Sequence, residues 1–432
     1  MRIPAVRKVL KKRKRLTSRK KNKRKKRKSS ENHPHRVDFS KTLTNLKSRF
    51  FLPRFLKEMK KLKIGGISGG NSLRLITDGD TCFGEFVRAI KSAKLSINFE
   101  TYIFNSDDIG WMFAELLVKK AKAGVEVNFM YDAVGCVASS PAIFNYMRAG
   151  GVEVVKYHPF IPWRKFWNIS FRDHRKILVV DGRIGYLGGI NIGMEYAGER
   201  YGGGNWRDSH LRIEGPAVRE IQFFFMENWF RHGGAIVDSG KHFLPLREKG
   251  KKLVMVLSSS SRKNIRPIKE SYLSAIKYAQ QSIFITNAYF IPDAKVYRSL
   301  IRAAKRGVEV IILLPGKSDV NVVRHASRYL YKKYLKSGIR VFEYSPTVLH
   351  AKTAVIDGIW STVGSSNIDR RSFKKNLELN AIVLDQSFGG GMEEVFFRDL
   401  EVSVEYRLEN WEKRSILNYA LEWLCYRFRN LM

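Results

Sequence analysis

Two histidine–lysine pairs stand out for the chemistry they could perform: His174 with Lys176, and His350 with Lys352. After each pair comes an apolar run, residues 177–180 and 353–356, with the length and composition of a buried strand. Side chains alternate between faces along a strand, so His and Lys at i and i+2 point the same way. A single His-x-Lys on a strand is commonplace. Two of them, each followed at the same distance by Asp-Gly (Asp181, Asp357), mark a duplicated site. The two aspartates belong to the motif and are counted with His and Lys as its candidate catalytic set. At the seventh position after His, though, a regular strand turns them to the opposite face. There they suit holding the strand end by charge pairing or capping. Beyond each Asp, a turn leads to Gly188-Gly-Ile-Asn191 or Gly364-Ser365-Ser-Asn367. Small residues, backbone N–H groups and an amide side chain are suited to phosphate oxygens, which makes Asn191, Asn367 and Ser365 candidate phosphate contacts.

Brought together, the two copies would offer two imidazoles, two ammonium groups and two amides. One imidazole could attack phosphorus to form a phosphohistidine, while the other protonates the departing alcohol and then deprotonates the incoming one. The lysines and amides would stabilise charge on the phosphoryl oxygens. Order along the chain does not say which histidine attacks.

The elements that must position these groups also recur. Residues 96–102 (Ser-Ile-Asn-Phe-Glu-Thr-Tyr) are matched by 283–289 (Ile-Phe-Ile-Thr-Asn-Ala-Tyr). Lys122-Ala-Gly-Val-Glu-Val127 is matched by Lys305-Arg-Gly-Val-Glu-Val310, a helix end capped by Gly and then a strand. Tyr146-Met-Arg-Ala-Gly150 is matched by Tyr334-Leu-Lys-Ser-Gly338, again ahead of a strand. With the His-x-Lys blocks, four segments repeat in one order, which reads as one α/β unit copied twice. The expected fold is α/β: two homologous halves, each a mixed sheet flanked by helices, packed about a pseudo-twofold axis. The expected boundaries are 1–66 for a basic arm and amphipathic helix, and 67–240 for the first half. A connector would span 241–265, the second half 266–405 and an amphipathic tail 406–432.

Charge narrows the partners. There are 79 Lys+Arg against 40 Asp+Glu, a net +39, in 432 residues. Residues 1–28 hold 17 basic side chains and no acid, and the rest of the chain still carries +22. An anionic partner follows, either a phospholipid surface or nucleic acid. The 44% apolar content is ample for a packed core and excludes a chain disordered throughout. Residues 1–45 read as a solvated, self-repelling arm. Between residues 49 and 64, Leu52, Phe55, Leu56, Met59 and Leu62 recur at helical spacing among lysines; such a helix could lie in a membrane interface or pack on the body. Residues 65–71 read as a linker. No apolar run is long enough to span a bilayer, and the N-terminus lacks the apolar segment of a secretory signal. Three scattered cysteines form neither a disulfide framework nor a metal-ligand pattern and suit a reducing compartment.

His-x-Lys-x4-Asp twice, each followed by Gly-x-x-Asn, resembles the phospholipase D superfamily. The surrounding wording is similar to that of the bacterial cardiolipin synthases over roughly residues 65–405. It comprises Asp78-Gly-Asp80, Glu100-Thr-Tyr102, Tyr131-Asp-Ala-Val-Gly135, Phe171-Arg-Asp-His-Arg-Lys176, Trp206-Arg-Asp208, Asn287-Ala-Tyr-Phe290 and Val363-Gly-Ser-Ser-Asn367. The basic arm makes the chain look like the shorter synthases, which lack N-terminal membrane spans. The resemblance implies a ping-pong transfer without metal or other cofactor, in which a phosphatidyl group passes to a histidine and then to a phosphatidylglycerol hydroxyl, releasing glycerol. It also implies a carboxylate behind each histidine, and the repeat alignment assigns these as Asp208 and Glu378. The implied location is peripheral, on the cytoplasmic face of the bacterial membrane. The alternative is lipid hydrolysis or nuclease action on the same site. Two aromatic segments could meet lipid: Tyr157 to Trp167, and a tail with Ile416, Leu417, Ala420, Leu421, Leu424 and Phe428 at helical intervals. Both could equally pack on the body.

Overall fold

Four consecutive apolar residues, Ile177–Val180, have to be buried on both faces, and the architecture does this by placing their strand between two cores. Leu178 and Val180 join a core with the helices Gly79–Ser92, Asp108–Lys122 and Pro141–Ala149. Ile177 and Val179 face the other way, into a core shared with Val254, Val256, Phe284, Val355 and Val363 of the second half. The two copies are thus joined by a common apolar interior.

The computed structural model describes residues 46–158, 171–259 and 265–429, all within one compact unit. The first half contributes β1 (Ser68–Ile76), β2 (Ser96–Thr101), β3 (Glu126–Asp132), β4 (Glu153–Tyr157), β5 (Ile177–Val180), β6 (Ile184–Gly188) and β7 (His210–Glu214). The second contributes β8 (Lys252–Ser258), β9 (Ser282–Asn287), β10 (Glu309–Lys317), β11 (Arg340–Val348), β12 (Lys352–Ile356), β13 (Trp360–Gly364), β14 (Leu379–Leu384) and β15 (Ser403–Tyr406). Outward from a seam between β1 and β8, the strand order is β1-β7-β6-β5-β2-β3-β4 on one side. On the other it is β8-β14-β13-β12-β9-β10-β11, with β15 added at the edge. The matching orders are the expected pseudo-twofold. In each copy the outer strands run parallel and the inner ones antiparallel, a mixed sheet as expected.

Gly124 and Gly307, at equivalent repeat positions, adopt φ of +85° and +86° just after their helices end, the left-handed cap that lacks a Cβ penalty. The helix Leu46–Lys61 resolves an open alternative: Phe51, Leu52, Phe55 and Met59 are buried, and the Phe55 ring meets Trp360 edge-on at 6.5 Å. It packs on the second half instead of presenting that face to lipid. Two expected boundaries need correction. Residues 252–258, read as connector, form β8 and pair with β14, while 68–71, read as linker, open β1. Residues 68–71 lack the alternation that announces a strand, whereas 253–257 is a continuous apolar run of the kind that marks a buried one. The arm 1–45, most of the aromatic segment before the first histidine (159–167) and residues 260–264 lie outside the described residues.

Candidate active site

The histidines are brought together by crossing each motif with the other half. His174 N–H donates to Leu377 O at 2.9 Å, and Leu377 N–H donates back to Arg172 O at 2.8 Å. On the opposite side, His350 N–H donates to Arg207 O at 2.8 Å, and Arg207 N–H to Val348 O at 2.9 Å. Each exchange puts a histidine of one copy beside a carboxylate of the other. His350 Nδ1 donates to Asp208 Oδ2 at 2.6 Å. His174 Nδ1 lies 3.2 Å from Glu378 Oε2 and 3.3 Å from Ser365 O. Carboxylate and carbonyl oxygens only accept, so Nδ1 carries the hydrogen in both rings. A neutral ring then keeps its lone pair on Nε2. Both histidines, both lysines and both carboxylates are buried.

Burial and the ammonium of Lys176 push His174 down to about 4, against the pull of Glu378. Burial and Lys352 also lower His350. Burial alone would raise the two acids, but His174, Lys176 and Ser365 hold Glu378 below the usual carboxylate range. Lys352 and His350 do the same for Asp208. The lysines are themselves lowered by burial, Lys176 to about 7 and Lys352 to about 8. Each Nζ donates to the carbonyl of its own histidine, Lys176 to His174 O at 2.7 Å and Lys352 to His350 O. Lys176 feels the ammonium of Lys352, and both lysines feel both carboxylates, as expected of one shared cluster.

The remaining candidates divide. Asp181 and Asp357 stand at the far ends of β5 and β12, away from the cluster, each followed by glycine in a left-handed turn (φ 51° and 59°; 53° and 64°). Asp-Gly is the pair that tolerates such a backbone. The Asp181 carboxylate accepts the N–H groups of Lys94, Leu95 and Ser96 at 2.7–3.1 Å. Asp357 accepts those of Gln280, Gln281 and Ser282 at 2.8–3.0 Å. Counting them in a catalytic set is therefore corrected: they fasten each motif strand to the start of its neighbour. Ser365 also departs from its phosphate assignment, because its hydroxyl donates to Glu378 at 2.6 Å and accepts from Leu379 N–H. Asn191 and Asn367 each accept the backbone N–H just beyond a neighbouring strand, Ile103 at 3.1 Å and Tyr289 at 3.2 Å. The Asn191 amide N–H also reaches Tyr196 Oη at 2.6 Å.

Several site residues escaped the sequence reading. The Tyr102 ring lies 4.8 Å from that of His174, and Lys176 Nζ sits 5.1 Å over it. Around His350 are Tyr196, Trp206 and Tyr289, at 5.5, 5.9 and 6.2 Å. Tyr102 and Tyr289 end the matched repeat segments, so the repeat itself held a signal for them. Arg175, buried beside the motif, donates to Phe224 O and Ser258 Oγ and so braces the strand.

The site thus gathers two carboxylate-held imidazoles and two lysines, one set from each half of a duplicated α/β fold. The family described as "Cardiolipin synthase, PLD-like domain" matches residues 86–201 and 272–400. The cardiolipin synthase of Halalkalibacterium halodurans is 35% identical over 83% of this chain and 72% of its own length. Cardiolipin synthase 1 of Bacillus cereus is 34% identical over 84% and 73%. Phosphatidylserine synthase of Haemophilus influenzae shares the fold, with a TM-score of 0.66 at 10% identity over 87% of this chain and 97% of that one. This chain belongs to the cardiolipin synthase family of the phospholipase D superfamily and is a phosphatidyltransferase acting on phospholipids. Among the described residues, no helix is long and apolar enough to cross a membrane.

Proposed function

We propose that this enzyme joins two molecules of phosphatidylglycerol into cardiolipin and glycerol through a phosphohistidine, working peripherally on the cytoplasmic face of a bacterial membrane. The observation that carries this reading is the crossed grip on the imidazoles, which spends both Nδ1 hydrogens and leaves two Nε2 atoms for chemistry. His174, pushed down to about 4, stays neutral at neutral pH with its Nε2 lone pair free. Its Nε2 attacks phosphorus while His350 Nε2–H protonates the departing glycerol oxygen. A second phosphatidylglycerol then gives its hydroxyl proton to His350, its oxygen attacks phosphorus, and the P–N bond breaks.

Charge favours one acid and one base. The two lysines offset Asp208 and Glu378, so one bound phosphodiester calls for one imidazolium. Asn191 and Asn367 shape the backbone at the site, and the lysines supply the positive charge next to the phosphoryl oxygens. The test is purified enzyme on vesicles containing phosphatidylglycerol, with EDTA present. Cardiolipin and glycerol in equal amounts are expected; phosphatidic acid as the sole product would replace transfer by hydrolysis. The charge of +22 outside the first 28 residues supports a nuclease reading. Rapid cleavage of single-stranded DNA, with the lipid untouched, would establish it instead.

A further inference from the structure

A surface helix ordinarily buries its apolar stripe and shows its charges to water. The helix Ile416–Arg427 does the opposite. Its buried side chains are Glu422 and Cys425, while Ile416 is 84% and Leu417 78% exposed. Tyr419, Leu421, Trp423 and Leu424, with Phe428 just past its end, are also exposed. A polar clamp holds this orientation: Glu422 pairs with Arg414 at 2.8 Å and Arg328 at 3.4 Å. Arg328 and Arg414 in turn lie over the Trp411 ring, at 5.0 and 4.0 Å, and Tyr426 stacks on Tyr329 at 4.7 Å. The helix is therefore fixed with its greasy side outward.

We propose that this outward face is the docking surface for an anionic phospholipid bilayer, and that it sets the mouth of the active site at lipid level. Charge complementarity favours that occupant: exposed Lys413 and Arg427, with Arg429 stacked on Tyr426 at 4.3 Å, rim the stripe in a chain of net +39. Trp423 carries Arg427 at 5.9 Å from its ring, the aromatic–cation pairing suited to head groups. Position favours it too. The helix packs on Asn321–Arg328, whose leading residues expose Val320 and Val322. Just before them, Asp319 accepts the hydroxyl of Tyr289, the ring beside His350. The exposed valines thus lie between the tail helix and the segment that reaches the ring beside His350. The purpose assigned to the surface rests on the lipid reading above; the binding itself does not.

The experiment compares the full-length enzyme with the triple variant Leu417→Glu, Leu421→Glu, Leu424→Glu, none of which touches the site. Sedimentation with phosphatidylglycerol-containing vesicles should fall at least about tenfold, while turnover of a dispersed short-chain phosphatidylglycerol stays within about twofold. Independently, lipids brominated on their acyl chains should quench the wild-type fluorescence, and Trp423→Phe should remove that quenching. Wild-type-like vesicle binding by the variant, or no quenching at Trp423, overturns the proposal. So does a shift from dimer to monomer in the variant, which would make a second copy the occupant. Intact vesicle binding without cardiolipin formation would instead defeat the proposed function and leave the surface standing.

Discussion

The two halves of the site share a frame but not an environment. His174 meets one aromatic ring and a glutamate whose charge is divided between the imidazole and the Ser365 hydroxyl. His350 meets three aromatic rings and an aspartate at 2.6 Å that the other half supplies undivided, apart from its own chain's Ser209 N–H. A duplicated fold supplies twofold geometry cheaply. The proposed two-step transfer, however, asks one imidazole to be the nucleophile and the other the proton carrier. Unequal surroundings are how one pair of equal residues is divided between those tasks.

The strongest way to break this comparison is to remove each ring in turn. His174→Ala and His350→Ala should each lower kcat by about 10⁴-fold or more. With a phosphorus-labelled donor and an alkaline detergent quench, under which a P–N bond survives, His350→Ala should still accumulate some labelled protein and His174→Ala none. The reverse pattern would exchange their roles.

A gentler cut takes only the orienting carboxylates. Asp208→Asn and Glu378→Gln should each cost about 10²–10³-fold in kcat with little change in KM, and Asp208→Asn should cost more because its bond is shorter. Equal losses from single-turnover rates would mean that the two grips are equivalent.

The smallest effect concerns proton linkage. With Lys176 at about 7 and Lys352 at about 8 when folded, the unfolded chain binds protons that the folded chain has released, up to about pH 10.5. Stability from these two groups therefore rises with pH across that window, and below about 7 their cost is constant. Melting curves from pH 7 to 10 should rise more steeply for the wild type than for Lys176→Met, and bound phosphate should flatten the wild-type slope. Parallel slopes would mean that the Lys176 ammonium stays charged across this range.

Much of this was legible before any coordinates. The His-x-Lys pairs, the fourfold block repeat and the strand character of 177–180 rest on local chemistry and on alternation, which travel with the residues themselves. Even Asp208 and Glu378 could be placed, by the family resemblance together with alignment of the copies. Asp181 and Asp357 were read both as catalytic and as strand-end residues. Only the strand-end reading has a partner, because the N–H donors at 94–96 and 280–282 lie where the neighbouring strands β2 and β9 begin. Ser365 was misread for a related reason: a serine in a small-residue turn looks the same whether its hydroxyl faces a phosphate or a carboxylate. The strand β8 carries its own local signal in the apolar run 253–257; only its pairing with β14, more than a hundred residues away, is not local.

By itself the sequence determined which side chains can do chemistry here and that they come in two sets. What the tertiary structure alone decided is the crossing, in which each histidine is held by the other copy's carboxylate. It also decided the outward turn of the last helix, where Glu422 is claimed by arginines from elsewhere in the fold. Periodicity records which residues share a face of an element. It carries nothing about what that face meets, because long-range pairing energies arise only once distant segments are in contact.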